Sequence, residues 1–590
     1  MKIIKSTSLI ALFLGFMGSL NAQTSTEDYR TNTEKMTTVL QLIKFGYVDT
    51  VSLNKFVEKG VVEMLKELDP HTAYISKEEV ERTNEPLVGN FEGVGIQFQI
   101  IKDTIVAASV INGGPSEKVG VLAGDKILKI DTLIAVGKQI NNKWVFDHLR
   151  GKKGTTVMVT ILRRGQEKPI EFSIVRDKIP INSIDAYYMA APEVGYIKLD
   201  RFAQTTMDEF RKALADLKIK GMKHLIFDLR GNGGGYLGTA IELADEFLPS
   251  ERQIVYTEGA ASPIQRYYAT AKGNFETGRL VILVDEGSAS ASEIVSGAIQ
   301  DWDRGIIIGR RSFGKGLVQK PFTLNDGSVI RLTTARYHTP TGRCIQKSYE
   351  DGLDDYYMDF SKRLKHGEFV SADSIKFPDS LKYYTPAKRV VYGGGGIMPD
   401  IFVPMDTNRL SEFYANLYRK GVLNNFVMQY LDINRTQLKA QYPTADAFIG
   451  NFKVNQPMLD EFYAFAAKEG VTDTLSFDFN QMMTDFVAAN KDSVNKLYTR
   501  PEQVLNAQKS EQFLLDFNAY VKKEMEKKSN PELIKETQKY INLQLRFLLA
   551  RNLFDLSAGL RIWAEVDDAY NSALQVIQDE KKFKKMKISR

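Results

Sequence analysis

The chain has 590 residues, of which 43% are hydrophobic and 26% charged, a composition typical of a globular protein with about four domains. This composition excludes a collagen, a disordered chain and a membrane bundle. Its 78 Lys and Arg residues nearly balance 73 Asp and Glu residues, and apart from the terminal KKFKKMKISR the basic residues are scattered, so we expect no nucleic-acid partner.

Cysteine and histidine usage argues against a metal enzyme. Cys344 is the single cysteine, which excludes an internal disulfide framework and a cysteine-clustered zinc site. The five histidines are isolated from one another and show no metal-ligand spacing. We therefore expect neither a metal ion nor any other cofactor.

Residues 1–22 have the pattern of a cleaved secretory signal peptide. Lys2 and Lys5 precede an apolar run from Leu9 to about Leu20, and the small residue Ala22 follows. The run is shorter than the roughly 20 apolar residues of a membrane anchor. The sequence thus predicts a periplasmic or secreted mature chain without a stable membrane span.

The pattern of hydrophobic residues changes along the chain and predicts four further regions. Residues 23–86 show helical spacing, and residues 87–178, the β domain, show short strand-like runs separated by Gly, Pro and Asp. Strands alternate with helices in 179–405, which predicts an α/β layer with a largely parallel sheet and a 346–394 insertion or lid. Residues 406–590 are almost wholly helical. Amphipathic helices at both ends favour a homodimer, because their apolar faces need burial.

The segment LVILVDEGSASASEIVSGAIQD predicts a strand, a small-residue turn and a helix. Its serines at 288, 290 and 292 lie where helix N–H groups are unpaired and favour negative charge. Such a turn can present a nucleophile and stabilise the oxyanion that it generates. Spacing alone does not choose among the three hydroxyls, and a serine here also suits a plain N-cap.

The segment GIIIGRRSFGKGLVQK places Lys315 between two glycines after an apolar strand. A lysine acts as a general base only when neutral, which costs about 4–5 kcal/mol at pH 7 for an ordinary lysine and requires burial. Gln319, four residues on, can orient the amine as a neutral partner. The segment also nearly spells a phosphate loop, but Gly316 stands where the magnesium-binding Ser or Thr belongs.

The segment HLIFDLRGNGGGYLG carries glycines that allow two uses. Gly233, Gly235 and Gly238 imitate a dinucleotide fingerprint, although the turn residues before them do not fit it. The other use is a loop whose backbone N–H groups form an oxyanion hole.

A fourth segment, NFEGVGIQFQI, can hold a peptide end. The N–H groups of Gly93, Val94, Gly95 and Ile96 can bind a terminal carboxylate, while the following strand pairs with the peptide backbone. The alternative is an ordinary hairpin turn.

Together these segments resemble the carboxyl-terminal processing, or tail-specific, serine proteases. The resemblance runs from about Tyr47 to Pro404 and includes LDPHTAYIS, EGVGIQF with GPSEKVGVLAGDKILKIDT, DLRGNGGG, GSASASEIVSGAIQD, FGKGLVQ, YHTPTGRCIQ and GIMPDIFVP. It implies a multidomain α/β fold with a ClpP/crotonase-like protease core, an inserted mostly-β PDZ domain, an N-terminal helical unit and a C-terminal all-α extension.

The resemblance also assigns roles to residues. It implies that Ser290 is the nucleophile, that Lys315 is the base with Gln319 as its partner, and that Gly234 and Ala291 donate the oxyanion N–H groups. It further implies that the PDZ domain recognises apolar C-terminal tails. The chain departs from the family where N-P-G-G is replaced by residues 232–235, and in the 346–394 insertion.

We therefore predict a serine endopeptidase with a Ser-Lys dyad that cleaves proteins near their C-termini. The rival interpretation is a catalytically inactive adaptor or chaperone that only binds tails. Hydrolysis of a denatured reporter without nucleotide or metal distinguishes the two.

Overall fold

A computed structural model describes residues 7–111, 113–406, 411–472, 486, 515–520 and 531–586, with side chains from residue 27 onward except 531–534. Residues 1–6 of the predicted signal peptide and most of the predicted helices between 473 and 530 lie outside the described residues. The chain divides into two compact units, one of residues up to 80 with 319–333, the other of residues 81–318 with those from 334 onward.

The first unit is mainly helical. Its elements are α1 (Thr7–Gly46), α2 (Leu53–Lys66) and β1 (Ala73–Ile75). Strand β1 pairs antiparallel with the beginning of a later strand, Val329–His338, where Ala73 lies opposite Arg331. The residues of the predicted signal peptide from 7 onward lie in α1. Among the described helices of either unit, none combines the length and apolarity needed to cross a membrane.

The described part of the β domain, in the second unit, contains a two-stranded sheet, a six-stranded sheet and two helices. After α3 (Lys77–Val88), β2 (Asn90–Gly93) pairs with β9 (Asp177–Pro180). The six-stranded sheet has the order β3-β4-β5-β7-β8, with β6 on β5, so that β3 lies at an edge. Its elements are β3 (Ile96–Ile101), β4 (Thr104–Val110), α4 (Pro115–Lys118), β5 (Lys126–Ile130), β6 (Leu133–Ile134), α5 (Asn142–Leu149), β7 (Thr156–Leu162) and β8 (Ile170–Val175).

The predicted α/β layer is confirmed as a six-stranded sheet of order β10-β11-β12-β15-β16-β21. All neighbours from β11 onward are parallel, and β10 is an antiparallel edge strand. The elements are β10 (Ile184–Ala191), β11 (Val194–Leu199), α6 (Thr206–Ile219), β12 (His224–Asp228), α7 (Leu237–Asp245), β15 (Leu280–Val284), α8 (Ala291–Asp301), β16 (Ile306–Gly309) and β21 (Ile401–Phe402). Two strands between α7 and β15, β13 (Gln253–Gly259) and β14 (Ser262–Tyr268), pair with each other in a separate sheet.

Helices bury both faces of this sheet, which explains why its strands are continuous apolar runs. Because side chains alternate along a strand, Leu225 and Phe227 pack with α6, α7 and α8, while Ile226 belongs to the core on the opposite face. That opposite face is covered by the C-terminal helix α17 (Asp568–Gln578), which contributes Tyr570 and Val576 among others. Residues of the C-terminal region thus form part of the core around this sheet.

The remaining elements lie after β16. Strands β17 (Leu317–Thr323) and β18 (Val329–His338) lead to the insertion, which holds α9 (Leu353–Tyr357), α10 (Asp359–Lys365), β19 (Lys382–Tyr384) and β20 (Val390–Tyr392). The C-terminal region comprises α11 (Glu412–Arg419), α12 (Val422–Gln441), α13 (Ala445–Asn451), α14 (Gln456–Lys468), α15 (Pro531–Leu553), α16 (Leu556–Trp563), α17 and α18 (Glu580–Lys585). Several of these helices begin at a side chain that caps the first turn, namely Ser411, Thr444, Asn455, Asp555 and Asp567.

Candidate active site

Three loops that carry the predicted site residues follow neighbouring strands at one edge of the parallel sheet. The glycine loop, residues 229–235, follows β12; the serine turn, residues 285–290, follows β15; and the lysine turn, residues 310–316, follows β16. Because these strands are adjacent and parallel, their carboxyl ends lie side by side. The topology thereby brings together segments that are distant in sequence.

The three serines of the nucleophile segment differ in their surroundings. Ser288 and Ser292 are fully buried, and their hydroxyls donate to the carbonyl oxygens of Leu229 at 2.8 Å and Asn232 at 2.9 Å. Ser290 is half-buried and has φ +55° and ψ −110°. Such a backbone conformation costs about 1–3 kcal/mol and is concentrated at functional sites. The flanking hydroxyls hold the turn together, and Ser290 is left as the candidate nucleophile.

Lys315 is half-buried between two glycines at which a side chain would be crowded. A Cβ on Gly314 would lie 3.1 Å from the backbone nitrogen of Gly396, and one on Gly316 would lie 2.9 Å from that of Gln346. Main chain from other segments therefore closes over the lysine turn, and such burial is what a neutral lysine requires.

The carboxylate of Glu293 joins the serine turn to the lysine turn. Its Oε2 accepts from the N–H groups of Ser290 at 2.8 Å and Lys315 at 2.9 Å, and its Oε1 accepts from Gly314 N–H at 2.7 Å and the Ser312 hydroxyl at 2.5 Å. Because Oε2 accepts from both Ser290 N and Lys315 N, these two nitrogens lie no farther apart than the sum of their distances to that oxygen. Burial raises the pKa of Glu293 to about 7, while the four hydrogen bonds oppose that rise.

Tyr337, in β18, joins the same two residues through their carbonyl groups. Its hydroxyl oxygen lies 2.7 Å from Lys315 O and 3.1 Å from Ser290 O, and only 1% of the residue is exposed. Burial raises the pKa of Tyr337 well above its ordinary value, so the hydroxyl keeps its proton and can donate. The N–H groups of Ser290 and Lys315 share the Glu293 carboxylate, and their carbonyl oxygens share the single proton of the Tyr337 hydroxyl, which keeps the two backbones close together.

Glu293 and Tyr337 are not among the residues that the sequence analysis singled out. A local signal existed for Glu293, because Ser290 and Glu293 have the S-x-x-E spacing in which the third helical residue binds the N-cap backbone. No local signal exists for Tyr337, whose role depends on how β18 lies against the turns.

The glycine loop packs directly against Ser290. A Cβ on Gly234 would lie 2.9 Å from Ser290 Cβ and 3.0 Å from Ala291 N, and Gly234 has φ +101°. The N–H of Ala291 begins α8 and therefore has no acceptor within the helix. The N–H of Gly234, however, donates to Asn232 Oδ1 at 2.8 Å. Gly234 can serve an oxyanion only if Asn232 releases or shares this hydrogen.

The two nucleotide-binding alternatives lack structural support. A phosphate loop requires a helix after its lysine, whereas strand β17 follows Lys315. For the dinucleotide fingerprint, packing already explains Gly235, since a Cβ there would lie 2.1 Å from the carbonyl oxygen of Phe202.

Gln319, the predicted partner of the lysine, belongs to the first unit. Its Nε2 donates to the hydroxyl of Thr333 at 3.2 Å. In the same unit the LDPHTAYIS segment is fixed by the buried Asp69, which accepts from His71 N–H at 2.8 Å and from the Thr72 hydroxyl at 2.5 Å. The Thr72 hydroxyl in turn accepts from Thr333 N–H at 3.1 Å.

The predicted peptide-binding residues form the connection between β2 and β3. Gly93 ends β2, Ile96 begins β3, and between them Val94 is buried and Gly95 has φ +76°. The carbonyl oxygen of Val94 accepts from Ser116 N–H at 3.1 Å and from its hydroxyl at 2.6 Å. This connection is therefore anchored at the start of the edge strand, where a peptide backbone can pair.

Three segments of the chain match models of known protein families. The model for peptidase family S41 matches residues 193–354, that for the PDZ domain matches 93–174, and that for a family of unknown function (DUF8443) matches 413–482. A carboxy-terminal-processing protease of Bartonella bacilliformis is 37% identical over 352 residues, which cover 57% of this chain and 78% of the relative. The carboxy-terminal processing protease CtpB of Bacillus subtilis is 31% identical, covering 59% and 71%.

The chain belongs to the carboxy-terminal processing proteases of peptidase family S41. It is therefore a serine-type peptidase, and the β domain is a PDZ domain, a module that binds peptides. Among solved structures, a photosystem II D1 C-terminal processing protease is 25% identical, covers 62% of this chain and 91% of its own, and has a TM-score of 0.32.

In this S41 peptidase the 346–394 insertion packs against the lysine turn. Lys347 N–H donates to Gly314 O at 3.0 Å, and the buried Arg363 donates to Arg311 O at 2.7 Å and Ser312 O at 3.2 Å. The same guanidinium lies 3.1 Å from Glu368, which also pairs with Arg311 at 2.7 Å. The insertion thus supplies a buried ion-pair network behind the turn that carries Lys315.

Proposed function

We propose that this peptidase is a serine endopeptidase that cleaves proteins near their C-termini, with Ser290 as the nucleophile and Lys315 as the general base. The main support is the double connection between these two residues, through the Glu293 carboxylate and the Tyr337 hydroxyl. Backbones held in this way let two side chains meet repeatedly in one geometry, which is the chief requirement for a dyad.

In the proposed reaction, the neutral amine of Lys315 takes the proton of Ser290 as Oγ attacks the scissile carbonyl carbon. The oxyanion that forms is stabilised by the N–H groups of Ala291 and Gly234, the latter after Asn232 Oδ1 gives it up. Lys315 then protonates the leaving amine, and the C-terminal fragment departs. Water, deprotonated by Lys315, hydrolyses the acyl-enzyme and restores Ser290. We assign Gln319 the role of orienting the Lys315 amine.

The PDZ domain is proposed to capture apolar C-terminal tails. Strand β3 lies at a sheet edge, and the N–H groups of Gly93 to Ile96 precede it, so a peptide can add as a further strand with its carboxylate at this connection. Phe98 of β3 and Phe146 of α5 contact each other edge to face, with ring centroids 5.5 Å apart. Aromatic rings at this position favour an apolar tail over a charged one.

Two further proposals concern where the peptidase works and in what assembly. The pattern of residues 1–22 supports a periplasmic or secreted location. Several large apolar side chains between residues 29 and 68 are exposed, Phe45 and Val48 by 85% and 87%. Burial of such a surface favours a homodimer, which analytical ultracentrifugation of the mature chain tests directly.

The test of the catalytic proposal compares Ser290→Ala and Lys315→Ala with Ser262→Ala and Lys320→Ala, which alter a serine and a lysine outside the three loops. The substrate is an unfolded protein that ends in an apolar tail. We expect the first two variants to lose at least about 1,000-fold in kcat and the controls to retain wild-type rates. Undiminished hydrolysis by either dyad variant would refute its assigned role. Wild-type protein that binds the tail but hydrolyses nothing would support the adaptor interpretation instead.

A further inference from the structure

The C-terminal region reaches the edge of the sheet where the three loops lie. Helix α17 packs on the sheet with Ala569, Tyr570 and Ala573 buried. Its N-cap is Asp567, whose Oδ1 accepts from Tyr570 N–H at 3.1 Å. The packing of this helix thus brings its first turn next to the glycine loop.

At that place Asp567 forms a two-pronged ion pair with Arg230 of the glycine loop. The Arg230 NH1 group donates to Asp567 Oδ1 at 2.8 Å and NH2 donates to Oδ2 at 2.7 Å. Only 20% of the Arg230 side chain and 13% of the Asp567 side chain are exposed. Parallel hydrogen bonds of this kind fix orientation as well as distance, and burial protects them from screening by salt.

The inner side of the same guanidinium contacts Asp228. Its NH2 group lies 2.6 Å from Asp228 Oδ2, and the Arg230 backbone N–H donates to Asp228 Oδ1 at 2.9 Å. Burial works against the Asp228 charge, but Arg230 and Lys198 outweigh it and hold the pKa of that carboxyl below its usual range. Arg230 is therefore held between a carboxylate of the sheet and a carboxylate of the C-terminal region.

The glycine loop needs such anchors because its own sequence provides little rigidity. Four of its seven residues are glycines, which lose the most conformational freedom when they are ordered. Beyond Arg230, the loop is held by Gly231 N–H donating to Asp285 Oδ1 at 2.8 Å and by Asn232 Nδ2 donating to Leu199 O at 3.0 Å. An oxyanion hole depends on donors that are in place before the reaction, so the anchoring of this loop affects the rate.

We propose that Asp567 is a positioning residue for catalysis: it fixes Arg230 and, through it, the glycine loop that carries the oxyanion donor. This inference rests on the proposed function and extends it, since it makes a residue of the C-terminal region necessary for full activity of the protease layer. Asp567 touches no reacting atom, and its effect is expected in kcat rather than KM, because loss of preorganisation weakens binding of the transition state more than that of the substrate.

The test uses the full-length chain with three substitutions. Asp567→Asn keeps the size of the side chain and its ability to cap α17, and removes the charge that pairs with Arg230. Asp567→Glu retains the carboxylate. Asp568→Asn removes an exposed neighbouring charge in the same helical turn and serves as the matched control. Each variant is assayed for kcat and KM on the apolar-tailed substrate and for its rate of reaction with a fluorophosphonate, whose phosphoryl oxygen occupies the oxyanion position when Ser290 displaces fluoride.

We expect Asp567→Asn to lower kcat and the fluorophosphonate rate at least tenfold per folded molecule, with KM changed less than twofold. Asp567→Glu should recover most of the loss, and Asp568→Asn should match the wild type. Wild-type rates for Asp567→Asn would overturn the inference, and so would a loss accounted for by a smaller folded fraction in thermal unfolding. Failure of the wild type to react at Ser290 would instead refute the proposed function on which the inference rests.

Discussion

Replacement of Tyr337 by Phe is the sharpest test of how Ser290 and Lys315 are held together. The substitution removes one oxygen atom and leaves the buried ring in place, so no large cavity forms. The hydroxyl has one proton for two carbonyl oxygens, at 2.7 and 3.1 Å, and therefore contributes one hydrogen bond at a time. Loss of such a buried bond should lower the free energy of unfolding by about 1–3 kcal/mol.

The effect of the same substitution on activity depends on the connection that remains between Ser290 and Lys315. Glu293 still joins the N–H groups of Ser290 and Lys315, so the two turns stay together but are free to shift at their carbonyl side. A displacement of about 1 Å can cost about 100-fold in rate, and with one of two connections intact we expect a loss in kcat of about tenfold, or 1.4 kcal/mol.

Tyr187→Phe is the matched control, because its hydroxyl donates to Asp216 at 2.9 Å in a half-buried site outside the three loops. Both variants are measured by denaturant unfolding and by kcat and KM on the apolar-tailed substrate. Tyr337→Phe should lose both stability and kcat, and the control only stability. If the two variants lose stability alike and retain wild-type kcat, the Tyr337 hydroxyl does not align Ser290 with Lys315 for catalysis and this reasoning is wrong.

Three further substitutions test other contacts of the site. Gly234→Ala places a Cβ 2.9 Å from atoms of the serine turn, at a residue with φ +101°, and should lower kcat by about 100-fold. The control Gly233→Ala, whose Cβ has no atom within 4 Å, should be nearly neutral. Similar kinetics for the two variants would contradict the packing argument. Because burial raises the pKa of Glu293 from 4.5 to about 7, its contribution to stability is full below pH 4.5 and is lost as the pH rises through 7. The free energy of unfolding of the wild type should therefore fall by about 3 kcal/mol relative to Glu293→Gln between these values, and parallel pH curves would exclude such a shift. Arg363→Met breaks the buried network behind the lysine turn. It should lower the free energy of unfolding, measured with denaturant, by about 3–5 kcal/mol and should also lower kcat. Lys365→Ala, at an exposed position of the same helix, should change neither quantity.

Much of the catalytic layer could be predicted from local sequence. The alternation of apolar strands with helices within 179–405 predicted the parallel sheet. Parallel strands end at one edge of a sheet, and the structure places the glycine, serine and lysine segments at that edge. The choice of Ser290 among three hydroxyls came only from resemblance to a family. Tertiary structure supplies a physical reason for that choice, since the hydroxyls of Ser288 and Ser292 are used in holding the turn to the glycine loop.

Other features depend on contacts that no local pattern encodes. The sequence predicted that the C-terminal region is helical. It did not predict that α17 covers one face of the protease sheet or that Asp567 pairs with Arg230. The insertion was predicted from its composition. Its composition did not predict that Arg363 binds the carbonyl groups of the lysine turn. For Gly234, the resemblance to the family implied a backbone donor and could not show that Asn232 already accepts from it.

The sequence by itself determined the helices and strands of this chain, their order, and the chemical groups available at each strand end. It did so through hydrophobic periodicity, turn residues and the order of the motifs. These properties arise from interactions between residues close in sequence. Tertiary structure alone decided which distant groups share a hydrogen bond: Glu293 and Tyr337 with both Ser290 and Lys315, and Arg230 with a carboxylate 337 residues away. The reason is physical, because such contacts exist only after packing has fixed the distance and direction between segments to within a fraction of an ångström.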